Sequence, residues 1–175
     1  MDTPPSEPIR NRVDESGLIA LDLDHLTPRA DVRVLDLSQY LEQGLILREK
    51  PFRQAISELS ATDWAEKTVA LHCASDAIVP DWAWMLATSK LIALGAEVFI
   101  GDLARTQEQL LLRAIDALDL SPFEGGRLVI KGCSAGTTSE SLARIIQRLQ
   151  PVAQSIFYGE PCSTVPVYKR PRKEG

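Results

Sequence analysis

The chain has 175 residues, 45% hydrophobic and 25% charged, with a formal net charge of −5. That length allows one domain with a real core plus a small appendage, and the acidic balance excludes the basic footprint of a nucleic-acid binder. No stretch reaches the roughly 20 apolar residues that a membrane-spanning helix needs.

Residues 1–15 are acidic and Pro-rich, with no basic-then-apolar secretion signal, so they are expected to be a disordered leader on a cytoplasmic protein. An α+β segment is expected over 16–61. Leu18 to Leu23 and Val32 to Leu35 read as strands joined by a turn at Thr27–Ala30. Leu37, Tyr40 and Leu41 have helical spacing, which Gly44 would end. Pro51 opens a second helix with Phe52, Ala55, Ile56 and Leu59 on one face.

From 62 to 169 the pattern is a clear alternation of strands and helices. Strand 68–73 leads to a helix from Pro80 to Leu94 that Gly95 closes. Strand 97–101 follows, and Asp102 can N-cap a helix reaching Leu118. Leu128–Lys131 is a third strand, Thr137 and Glu140 form a capping box for the next helix, and Ser155–Tyr158 is a fourth strand. This alternation predicts an α/β fold: a Rossmann-like or flavodoxin-like parallel sheet of about four strands, preceded by the small N-terminal α+β segment. In the doubly wound order 2-1-3-4, strands 68–73, 128–131 and 155–158 would lie side by side. Residues 170–175 are a basic, solvated tail.

All three cysteines follow those strands. Cys73, Cys133 and Cys162 come just after apolar runs whose carboxyl ends would share one sheet edge, where α/β folds bind ligands. An odd number of widely spaced cysteines in a reducing compartment argues against a disulfide framework, and no Cys-x-x-Cys is present. Three thiolates with one open position suit zinc or an iron–sulfur cluster. The fourth ligand could be His72, Asp76, Glu160 or an exogenous molecule; Asp76 is better placed than His72, because His72 and Cys73 point to opposite faces of a strand. The plainer alternative is that the cysteines are buried core residues.

Two further readings concern the same edge. The loop from Lys131 to Glu140 is Gly-bearing and hydroxyl-rich and feeds a capped helix. Gly132, Ser134, Gly136 and Thr137 could therefore hold a phosphate or carboxylate. It lacks a Walker ending, and Ser139 stands where a Cys-x5-Arg phosphatase loop needs Arg, so an ordinary βα turn is the plainer reading. Thiol nucleophilicity would need His25 or His72 beside a cysteine. Asp22, Asp24 and Asp36 read as scattered strand-end carboxylates. Trp82 and Trp84 read as packing residues, and Arg48, Glu49, Lys50 and Arg53 as a solvated charged face.

Four stretches resemble the signatures of a known family. They are Gly44–Lys50 with Phe52-Arg53, Asp76–Met85, Lys131–Ser134 and Tyr158–Lys169. Together they resemble domain of unknown function 2480, over about Ile9 to Lys169. The resemblance implies a bacterial protein, mainly of Bacteroidetes. Genes of that family often lie near those for iron–sulfur assembly, which makes iron–sulfur assembly proteins the implied partners and supplies no mechanism.

The sequence thus points to a cytoplasmic protein that uses Cys73, Cys133 and Cys162, with Asp76, to hold zinc or an iron–sulfur cluster, or to handle sulfur. The alternatives are a non-enzymatic interaction protein with buried cysteines, and a small-molecule enzyme using an anion-binding loop at 132–138. No substrate, oligomeric state or enzyme class follows from the residues.

Overall fold

A computed structural model describes residues 17–28, 30–132, 136–160 and 163–171. The protein is a mixed α/β fold with two separate parallel-stranded sheets and a two-stranded hairpin. Strand β1 (Leu18–Asp22) runs into a short helix α1 (Leu23–Leu26), and β2 (Val32–Asp36) ends in a 3-10 turn at Leu37–Tyr40. The hairpin β3 (Leu41–Glu42) and β4 (Ile46–Leu47) precedes α2 (Glu49–Ser57) and α3 (Ala61–Trp64). Then come β5 (Thr68–His72), α4 (Asp81–Ala93), β6 (Glu97–Ile100) and α5 (Leu103–Asp116). After a 3-10 turn at Ser121–Phe123, β7 (Arg127–Lys131), α6 (Ser139–Leu149), β8 (Ser155–Glu160) and β9 (Ser163–Lys169) complete the described elements.

By its internal contacts the chain divides into two compact units, one of Met1–Leu26 with Ile115–Gly175 and one of Thr27–Ala114. The first carries a four-stranded sheet in the order β1-β7-β8-β9, parallel except for β9, which returns antiparallel to β8. Its core takes consecutive positions of the central strand β7, Leu128 to Ile130, and every fourth residue of α6. Leu128, Ile130 and Ile156 are buried on the strands, and Ser141, Ile145 and Leu149 recur every four residues on the buried stripe of α6.

The second unit carries the parallel sheet β2-β5-β6. Leu35, Phe52, Ile56, Leu71, Ala87 and Leu91 belong to one buried cluster there. Phe52 is its hub: Tyr40 meets it edge-on at 5.5 Å and Trp82 at 5.8 Å. Such aromatic pairs contribute about 0.5–1.5 kcal/mol each beyond their buried area. Trp82 and Trp84 both pack against the cluster, as expected of packing residues.

The α/β class and a four-stranded, mainly parallel sheet are present as expected. The membership of that sheet is different. Strands 68–73 and 97–101 lie in one sheet, whereas 128–131 and 155–158 lie in the other. Each N-terminal strand joins a parallel sheet: β1 pairs with β7 from Leu18↔Arg127 to Asp22↔Lys131, and β2 with β5 from Val32↔Thr68 to Asp36↔His72. An apolar run marks a buried strand but does not name the strand it will pair with, and the order 2-1-3-4 rests on all four of these strands sharing one sheet.

Gly44 also differs. It ends no helix but sits beside Gln43 in the β3–β4 turn, both with positive φ (72° and 52°). Two consecutive left-handed residues suit the twist of a tight hairpin.

Candidate functional site

Three parallel strands, β1, β7 and β8, end at one edge of the four-stranded sheet. The last residues of the first two, Asp22 and Lys131, are register partners, and Lys131 Nζ lies 3.2 Å from Asp22 Oδ2. The second oxygen, Asp22 Oδ1, accepts the Asp24 N–H at 3.0 Å and fixes the start of α1. Burial works against ionisation of Asp22. Hydrogen bonds from Lys131 and the Asp24 amide, with the charges of Lys131 and His25, outweigh it and hold the carboxyl below its ordinary range. Lys131 is shifted upward, first by its bond to Asp22, then by the charges of Asp22 and Glu160, and more weakly by Asp24. His25 itself is 85% exposed, with Nδ1 3.8 Å from Asp22 Oδ2.

Gly132 is buried where the turn into α1, the end of β7 and the segment before α6 approach one another. A Cβ there would stand 2.8 Å from Leu23 Cβ, 3.2 Å from Thr137 Oγ1 and 3.3 Å from Asp24 Oδ1. Only glycine permits that approach. The Tyr158 hydroxyl donates to Gly132 O at 3.3 Å and ties β8 to the same spot. Helix α6 then begins at a capping box: Thr138 Oγ1 accepts the Ser141 N–H, and Ser141 Oγ accepts the Thr138 N–H. The box is therefore one residue later than Thr137 and Glu140. The reason is the helix phase that puts Ser141, Ile145 and Leu149 on the buried side and leaves Glu140 in solvent.

The edge of the three-stranded sheet is organised by Asp36. Its Oδ1 accepts the Ser38 N–H at 2.9 Å and the Ala74 N–H at 3.0 Å, joining the end of β2 to the loop after β5. Burial opposes its ionisation, but those bonds and the charge of its register partner His72 keep its carboxyl below the ordinary range. Cys73 is half-buried against the cluster of that unit, with Sγ 3.3 Å from Ser75 Oγ. Asp76 is exposed in the following loop.

The expected site residues are thus divided. Cys73 and Asp76 follow β5 in the three-stranded unit, and Gly132, Gly136 and Thr137 belong to the four-stranded one. Cys133, Ser134 and Cys162 lie outside the described residues. The argument that one sheet edge gathers all three thiols is overturned, because β5 does not belong to the sheet of β7 and β8. Among the described residues, no three His, Cys, Asp or Glu side chains converge as a metal-holding group. The arginines of the charged face at 48–53 are both paired: Arg48 binds Glu42 of β3, and Arg53 Nε bonds Glu49 Oε1 at 2.8 Å.

Reading the sequence did not join Asp22 to Lys131. The available signal was that each ends an apolar run; the pairing of those runs was not visible. Fold and edges together define a mixed α/β protein whose parallel strands present polar carboxyl ends. A family model described as "Protein of unknown function (DUF2480)" matches residues 7–170, and the chain belongs to that family. No curated protein and no solved structure matches it. No helix among the described residues is long and apolar enough to cross a membrane.

Proposed function

We propose that the carboxyl edge of the four-stranded sheet is a thiol site that holds zinc or an iron–sulfur cluster, or handles sulfur, with Cys133 and Cys162 as its thiolates. The observation that carries this is the pairing of β7 and β8. They are hydrogen-bonded parallel neighbours, and the two cysteines follow Lys131 and Glu160, their last residues, by two positions each in the sequence. Adjacent strands are about 4.8 Å apart, a separation that thiolates sharing one ion can bridge.

Electrostatics favour a cation over an anion. The carboxylates of Asp22, Asp24 and Glu160 all act on Lys131, the lysine of this edge, and leave the edge net negative. The capping box already occupies the Ser141 and Thr138 amides that an anion at the 132–138 loop would want. Cys73 and Asp76, on the other unit, stand apart from this reading and serve as its control. Proteins that assemble iron–sulfur clusters are the partner class it implies.

The test is metal and acid-labile sulfide content, with a visible spectrum, on full-length protein purified anaerobically without added metal. The expected result is near-stoichiometric zinc, or iron with sulfide, lost in both Cys133→Ser and Cys162→Ser and kept in Cys73→Ser. A protein that stays colourless and metal-free after reconstitution would overturn the proposal.

A further inference from the structure

We infer that the free edge of β6, with the outer flank of α4, is the contact surface for a second copy of this chain, which extends the three-stranded sheet across a two-fold axis. Among the described residues β6 is hydrogen-bonded on one side only, to β5. Glu97 and Gly101 donate their N–H groups to Lys67 O and Leu71 O. Bonding directions alternate along a strand, so Val98 and Ile100 turn their amides outward. Gln109 Nε2 reaches Ile100 O at 3.0 Å, and that carbonyl keeps a second lone pair. The strand, Glu97-Val98-Phe99-Ile100, has no proline, lysine or bulge, the usual guards of an open edge.

Beside this edge α4 is apolar on both sides. Ala83, Ala87 and Leu91 face the core, yet Met85 and Ile92 are 72% and 60% exposed, and Ile100 of β6 is 51% exposed. These three, with Trp84, Thr88 and Ser89, line one groove of about 570 Å³. An apolar flank exposed opposite the core face of a helix marks a surface that a partner covers.

Strand edge and helix flank also share a centre. Rises of about 3.3 Å per strand residue and about 1.5 Å per helix residue put Thr88 and Ser89 level with Phe99. A two-fold axis there makes Val98 and Ile100 of opposite copies a doubly hydrogen-bonded pair. It also sets Met85 of one α4 against Ile92 of the other, with the small Thr88 and Ser89 at the crossing. Glu97, the charged residue of β6, would face Gly101 of the second copy and is already paired with Arg113 of its own chain, so no like charges meet. Contacts of this kind bury on the order of 500 Å² per copy, about 1,000 Å² in all, the lower bound for a specific interface.

The test is sedimentation of the full chain over a micromolar concentration series, with amide exchange at Val98 and Ile100. The wild type is expected to reach the mass of two chains and to protect both amides. Met85→Glu and Ile92→Glu change exposed side chains, so folding by circular dichroism should be unchanged while association weakens at least about ten-fold. A wild type that remains one chain throughout overturns the inference. So does a dimer that both variants leave intact, or one in which Val98 and Ile100 exchange freely.

Discussion

Asp22 joins two elements with its two oxygens, one toward Lys131 of β7 and one toward the amide that opens α1. The pH dependence follows from the directions of the two shifts. A carboxyl held below its ordinary 3.8 stabilises the fold above that value, and the contribution is lost as pH falls through the lowered native value. Lys131, shifted above its ordinary 10.5, contributes below that value and loses the contribution as pH rises through the raised one. Across the neutral range both contributions are complete. Asp22→Asn is therefore expected to lower the melting temperature by a few degrees at neutral pH, with the difference shrinking toward about pH 3 and in high salt. Melting curves of both proteins at the two pH values check this; an equal difference at each would mean that the lost charge is irrelevant. The carboxylates were visible in the sequence only as scattered acids, because Lys131 lies far along the chain and meets Asp22 through strand pairing alone.

Local signals were the most legible part of the molecule. Gly95 follows α4 with φ +88°, Asp102 accepts the Arg105 N–H at 2.8 Å ahead of α5, and Phe52 and Ile56 are buried on α2. Each depends on a few adjacent residues, which is why sequence could show it. One element, β9, goes unassigned from sequence and another, α6, starts one residue later than its sequence suggests. Strand β9 carries the β-branched and aromatic residues of a strand, but Pro166 argues against one. On an edge strand, antiparallel to β8 with a register shift at Ile156/Phe157, that proline is tolerated. The start of α6 was off by one because two overlapping caps compete, and burial of the stripe from Ser141 to Leu149 selects the second. Thr138→Ala is accordingly expected to destabilise the four-stranded unit by about 1 kcal/mol, whereas Glu140→Ala, at an exposed first-turn position, costs only a few tenths. Denaturant unfolding followed at amides of β7 and β8 separates the two. A larger loss for the Glu140 variant would return the cap to Thr137.

Which strands share a sheet was the least legible property, and its cause also sets how the molecule should fold. Strand β2 meets β5 across a short stretch holding two helices and a hairpin, whereas β1 meets β7 only after the whole Thr27–Ala114 unit has intervened. Periodicity registers neither distance. Closing about 110 residues of chain rather than about 36 costs roughly 1 kcal/mol more in loop entropy if the intervening chain is still disordered. If the intervening unit folds first, most of that loop is already compact and the extra cost falls away. The topology therefore favours one order: the β2-β5-β6 sheet forms early from its nearer contacts, and β1 docks on β7 late. Pulse-labelled hydrogen exchange during refolding tests this directly. Amides of Val69 and Leu71 should gain protection before those of β1 and β7, and Leu71→Ala, at a fully buried site, should slow both phases. Simultaneous protection of the two sheets would mean that β1 and β7 find each other without the intervening unit, against the entropy that separates them.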